Sequence, residues 1–263
     1  MMLVDSHCHL DQLDLSPYAG DLGQALAYAE TKAVQYYLCV CITLEHFPAV
    51  LQIAHTYPQV SASVGLHPDE KTTHEPDAAQ LFSLAEDKKV VAIGETGLDY
   101  FRTTGETEWQ RERFRQHIRA ARAAKKPLII HTRQAKEDTL RIMREERAGE
   151  VGGVMHCFTE DLEMAKAAMD LNFYISFSGI VTFKNAVALQ TVAQHVPLDH
   201  MLIETDAPYL APLPFRGKPN EPAYVYYVAE AIAKLRGIAI EDVALKTTAN
   251  YFNLFKNTRE GAG

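Results

Sequence analysis

The chain has 263 residues, 47% of them hydrophobic, with 26 Lys and Arg against 34 Asp and Glu and a formal net charge of −8. That length buries a large core and fits one α/β domain over residues 1–263, while the acidic balance argues against whole-surface attraction to nucleic acid or an anionic membrane. No apolar run approaches the length needed to cross a bilayer, no basic and apolar leader precedes Asp5, and Cys8, Cys39, Cys41 and Cys157 lack paired spacing, so reduced thiols in the cytoplasm are expected.

The first predicted strand, Leu3–His9, carries His7 and His9 at i, i+2. Side chains alternate faces along a strand, so both imidazoles project to one side, the geometry in which two ligands grip one divalent ion. Further apolar, β-branched runs predict strands at Gln35–Ile42, Val60–His67, Val90–Gly97, Pro127–His131, Val151–Cys157, Phe173–Ser178 and Met201–Asp206. Longer amphipathic stretches separate them. In Glu108–Lys125, Phe114, Ile118 and Ala121 recur at helical spacing, and in Asp161–Leu171, Leu162, Ala165, Ala168 and Met169 do so. Glu221–Arg236 and Glu241–Phe255 predict two last helices broken at Gly237. Eight strands that are apolar nearly throughout, alternating with helices, imply parallel strands buried on both faces and a closed (β/α)8 TIM barrel, with a doubly wound open sheet as the alternative.

In such a barrel the active site is assembled at the C-terminal strand ends. His7 and His9 end the first strand, His67 the third, Glu95 the fourth, His131 the fifth, His156 the sixth, and Glu204 and Asp206 the eighth. A carboxylate buried among imidazoles is costly unless a cation or a hydrogen-bond network compensates it, so the set points to a metal site. It exceeds what one tetrahedral ion uses and favours two ions. Glu95, from a middle strand, is the natural bridge. His7, His9 and Asp206 are assigned with it to the first ion, and His131 and His156 to the second. Mixed N/O ligands suit Zn²⁺ or Mn²⁺, and Mg²⁺ less readily. His46, His55, His74, His117, His195 and His200 fall on predicted helices or loops and are read as structural. The stretch Arg111–Arg147 holds twelve Lys or Arg against five Asp or Glu, a local +7 that leaves −15 on the rest. It is read as a solvated helix face, with an anionic-substrate approach as the alternative.

Six motifs, in order, resemble those of the TatD-type metal-dependent deoxyribonucleases: Asp5-Ser6-His7-Cys8-His9-Leu10-Asp11, Gly65-Leu66-His67-Pro68, Gly94-Glu95-Thr96-Gly97-Leu98-Asp99-Tyr100, Pro127-Leu128-Ile129-Ile130-His131, His156-Cys157-Phe158 and Glu204-Thr205-Asp206-Ala207-Pro208. Arg216-Gly217-Lys218-Pro219-Asn220-Glu221-Pro222 and Thr248-Ala249-Asn250 also look like family elements. The resemblance implies a TIM-barrel hydrolase with a two-metal site that cleaves DNA phosphodiester bonds, typically as a 3′–5′ exonuclease. Metal ligands carry onto His7, His9, Glu95, His131, His156 and Asp206, and His67 matches a pocket residue near the substrate phosphate. Thr96 departs from the apolar or small residue expected after the glutamate.

On this reading the metals activate a water, Asp206 accepts its proton, and His67 and Arg216 donate to phosphoryl oxygens. Glu204 orients a ligand from one layer deeper. Tyr100, Phe101 and Arg102 are candidates for nucleotide contact, Arg102 the basic one. The alternatives are a related barrel that hydrolyses an amide, lactone or aminoacyl ester, disfavoured because strand four offers Glu95 where many such barrels use a carboxylated lysine, and a non-catalytic zinc protein. The sequence leaves oligomeric state open; a monomer suffices.

Overall fold

The computed structural model describes residues 1–103 and 105–256. Its strands are β1 (Leu3–Cys8), β2 (Val34–Cys39), β3 (Val60–Val64), β4 (Val90–Asp99), β5 (Leu128–Arg133), β6 (Gly153–Met155), β7 (Phe173–Phe177) and β8 (Met201–Ile203). They stand in sequence order, each parallel to the next. The ring is completed by the Ser6 hydroxyl donating to the Ile203 carbonyl (2.9 Å), the Asp206 N–H to the His7 carbonyl (2.9 Å) and the His9 N–H to the Ala207 carbonyl (2.8 Å). Around it lie α1 (Leu22–Thr31), α2 (Phe47–Thr56), α3 (Ala78–Leu84), α4 (Glu108–Ala124), α5 (Lys136–Glu145), α6 (Leu162–Met169), α7 (Val187–His195), α8 (Val225–Arg236) and α9 (Ile240–Leu254). This is the expected (β/α)8 TIM barrel. Gly237, left-handed at φ +65°, caps α8 where the break was read.

Two hydrophobic layers follow from strand alternation. One fills the space between strands and helices. In the other, Leu38, Val91, Ile129, Val154 and Leu202 pack with Tyr251, Phe252 and Phe255. Ile129 precedes His131 by two residues, Val154 precedes His156 by two and Leu202 precedes Glu204 by two, so this layer lies inside the barrel beneath the polar mouth. The end of α9 therefore plugs the face opposite the site.

The strands end differently from the apolar runs. β6 and β8 stop short, so His156, Glu204 and Asp206 stand just beyond them; Cys157 (φ +42°) and Asp206 (φ +59°) take left-handed backbone there. β4 and β5 run longer and pair Gly97 with His131, Leu98 with Thr132 and Asp99 with Arg133. The basic run is spent between helices: Arg111 pairs with Asp138 (2.8 Å), Arg115 with Glu145 (2.6 Å), Arg119 with Glu146 (2.8 Å) and Arg122 with Glu150 (2.8 Å). These four pairs lie on the helix face, whereas Arg133 of the same stretch has no ion pair among the described residues.

Candidate active site

Glu95 is the centre of the mouth. Its Oε2 lies 3.4 Å from His7 Nε2, and its Oε1 lies 2.8 Å from His156 Nε2, 3.3 Å from His131 Nδ1 and 3.3 Å from His67 Nε2. The two oxygens thus face different imidazole groups. Asp206 Oδ1 completes the first group, 3.5 Å from His7 Nε2 and 3.4 Å from His9 Nε2. The two β1 histidines do share a side, their ring centroids 5.1 Å apart, and His7 stacks on His156 at 3.9 Å.

The far ring nitrogens are engaged in a way that sets the tautomers. His9 Nδ1–H donates to the Val40 carbonyl (2.9 Å), His131 Nε2–H to Asp99 (3.0 Å) and His156 Nδ1–H to Glu204 (3.2 Å). Each leaves its other nitrogen aimed into the cluster, the arrangement in which an outer carboxylate or carbonyl orients a ligating imidazole. His67 is oriented the other way. The Asp69 N–H donates to its Nδ1 (3.0 Å), so Nε2 carries the proton and faces Glu95 as a donor.

Burial works against the Glu95 charge, but His156, His67 and His131 hold its carboxyl well below the usual range. Asp206 is likewise held down, against burial, by His9 and the fields of His7 and His156. Burial and the neighbouring His156 push the His7 imidazole below its ordinary value. Neither ring nitrogen of His7 has a hydrogen-bond partner among the described residues, and both are buried. Unpartnered imidazole nitrogens beside two ionised carboxylates are what a divalent cation would satisfy, so the residues fit a metal. Three groups bring ligand atoms within 4.8 Å of one another: His7, His9 and Glu95; His7, His156 and Asp206; and His67, Glu95 and His131.

Of the other residues singled out in the sequence, Glu204 is fully buried and accepts from the Cys157 N–H (2.7 Å) as well as from His156. Arg102 is exposed and ion-paired with Asp69 (3.2 Å), next to the loop of His67. Arg216 lies on the Phe183 ring at 4.4 Å, without an ion pair among the described residues and outside the ligand cluster. Tyr100 turns away, its hydroxyl donating to Asp138 (2.6 Å), because Arg111 and Asp138 hold it against α4 and α5. Thr96 is buried and outside the cluster.

Sequence reasoning missed Asp99, which shares the strand parity of Glu95, and the support of His67. Arg113, buried in α4, donates to the carbonyls of His67 (2.7 Å) and Glu70 (2.9 Å) and pairs with Glu75 (2.6 Å). One turn on, His117 Nδ1–H donates to the Arg113 carbonyl (2.8 Å) while its Nε2 accepts from the Leu66 N–H (3.0 Å).

A family model described as TatD related DNase matches residues 4–256. The chain belongs to the TatD family. It is 49% identical over 256 residues, 97% of this chain and 96% of the relative, to a protein of Escherichia coli K12 described as the uncharacterized metal-dependent hydrolase YcfH. It is 31% identical over 250 residues, 93% of this chain and 96% of the relative, to the 3′-5′ ssDNA/RNA exonuclease TatD of Salmonella typhimurium. Among solved structures, the TatD homologue YjjV of Escherichia coli superposes with a TM-score of 0.88 at 29% identity, covering 97% of this chain and 98% of that one. The cluster around Glu95 is therefore the candidate centre of a TatD-family metal-dependent hydrolase.

Proposed function

We propose that this TatD-family hydrolase is a two-ion phosphodiesterase that removes nucleotides from the 3′ end of single-stranded DNA in the cytoplasm, with Zn²⁺, Mn²⁺ or Mg²⁺ as the ions. The observation that carries the reading is the division of Glu95, one oxygen toward His7 and the other toward His131 and His156. The name of the Salmonella relative supports the choice of substrate.

His7, His9, Asp206 and Glu95 would hold one ion, and Glu95, His131 and His156 the other. When bound, such ions acidify a water and offset charge that develops on a phosphoryl group. The chain's own residues do the rest. Asp206, kept ionised by His9 and His7, accepts the proton of the attacking water at Oδ1. His67 Nε2–H donates to a non-bridging phosphoryl oxygen, and its direction is set in advance by the Asp69 N–H on Nδ1. Asp99 and Glu204 keep the His131 and His156 rings from turning.

The test is a substrate panel on protein loaded with each ion in turn: 5′-labelled single-stranded and duplex oligodeoxynucleotides, a generic phosphodiester, and amide, lactone and aminoacyl ester substrates. Stepwise shortening of the single strand from its 3′ end is the expected result. Turnover confined to the carboxylic esters or amides would overturn the reading.

A further inference from the structure

We propose that Arg133 and Phe101 form a nucleotide subsite beside the metal centre, the guanidinium taking the phosphate next to the scissile one and the exposed ring stacking on the adjoining base. The proposal rests on the phosphodiesterase reading above.

Arg133 ends β5 two residues after His131, so both side chains leave the same face of the strand. Two residues of strand span about 6.6 Å, comparable with the step between successive phosphates of a nucleic-acid strand. The arginines of α4 that face α5 are consumed by carboxylates. Arg133 is not: among the described residues its guanidinium has no hydrogen bond and no ion pair, and its partner is the Phe101 ring, 3.8 Å away.

The nearest acid is already committed. Asp99 pairs with Arg133 in the ladder, but its Oδ1 accepts the N–H groups of Phe101 (3.0 Å) and Arg102 (2.8 Å), and its Oδ2 accepts from His131 (3.0 Å). A partly buried guanidinium with five free donors beside an occupied carboxylate is poised for an anion from outside, and its planar fork matches a phosphate. Phe101 is 54% exposed at the rim although one face of its ring is covered by Arg133. Its uncovered surface is a platform of the kind on which single-stranded bases stack without sequence preference. Asp99 thus holds His131 in the metal cluster and the loop of Phe101 at the rim with one carboxylate.

The experiment follows steady-state cleavage of a single-stranded 3′-labelled oligodeoxynucleotide by the metal-loaded protein across a salt series. Arg133→Gln should raise KM by about 10- to 100-fold while changing kcat little, and should flatten the fall of log kcat/KM with log salt by about 0.7. Arg133→Lys should keep the wild-type slope, which separates a lost phosphate contact from a disturbed strand. Phe101→Ala should raise KM by about 5- to 100-fold with the slope unchanged, and Phe101→Trp should restore it. An Arg133→Gln protein with wild-type KM and slope overturns the subsite, as does one that loses only kcat, while wild-type cleavage still upholds the parent reading. A wild-type protein that cleaves no oligonucleotide overturns both.

Discussion

Around Glu95 the same device recurs at three imidazoles: one ring nitrogen is tied to a carbonyl or an outer carboxylate, and the other is left for the centre. On the proposed reading the outer partner would govern how well the centre holds an ion. Asp99→Asn should leave the fold intact and weaken divalent-ion affinity by about 10- to 100-fold, measured by calorimetric titration of the chelated protein; unchanged affinity would remove Asp99 from this role. On the proposed reading Asp206→Asn would take away the proton acceptor and should lower turnover by about 10²- to 10⁴-fold with an unchanged circular dichroism spectrum. At this scale the candidate ligands were legible because metal-ligating residue types at strand ends are conspicuous against apolar strands. Asp99 and Arg133 were not, since an Asp and an Arg at strand ends look like ordinary caps until the β4–β5 register places them beside His131.

The element that carries His67 is a loop, and it is held from below by α4. Arg113 gathers the loop carbonyls, and His117, neutral because burial pushes its imidazole down to about 4, accepts the Leu66 N–H. The linkage follows in sign. Below its unfolded value of 6.5, His117 takes a proton in the unfolded chain but not in the folded one, so the stability it lends is full above that pH and is lost as pH falls toward 4. Between pH 7.5 and 5 this amounts to roughly 2 kcal/mol. His117→Gln should be less stable than the wild type at pH 7.5 yet lose about 2 kcal/mol less on acidification, read from urea unfolding at the two pH values; equal losses would exclude the assignment. A second device works between strands. Gly97 sits at φ +131° with its missing Cβ directed at the His131 carbonyl, so Gly97→Ala would force β4 and β5 apart under the centre. A loss of at least ~3 kcal/mol in denaturant unfolding is expected. None of these pairings had a local signature, because each joins residues distant in sequence through packing.

Over the whole molecule the barrel separates two tasks. Below the mouth an apolar layer is closed by Tyr251, Phe252 and Phe255, whereas the mouth concentrates Glu95, Asp99, Glu204 and Asp206 among the imidazoles. The barrel itself was legible from eight apolar runs alternating with helical stretches. The exact strand ends were not, since β6 stops at Met155 and β8 at Ile203, ahead of the left-handed residues Cys157 and Asp206. Each ion bound at the mouth should stabilise the fold by about 2.7 kcal/mol at a hundredfold excess over its Kd, which corresponds to a rise in Tm of about 5–10 °C per ion by calorimetry relative to chelated protein. The central claim is that Glu95 joins two ions into one phosphodiesterase centre. The most direct measurement titrates Mn²⁺ into chelated protein while following bound ion and single-strand cleavage together. Cleavage should appear as the second equivalent binds; full activity with one equivalent bound, or with none, would contradict the account.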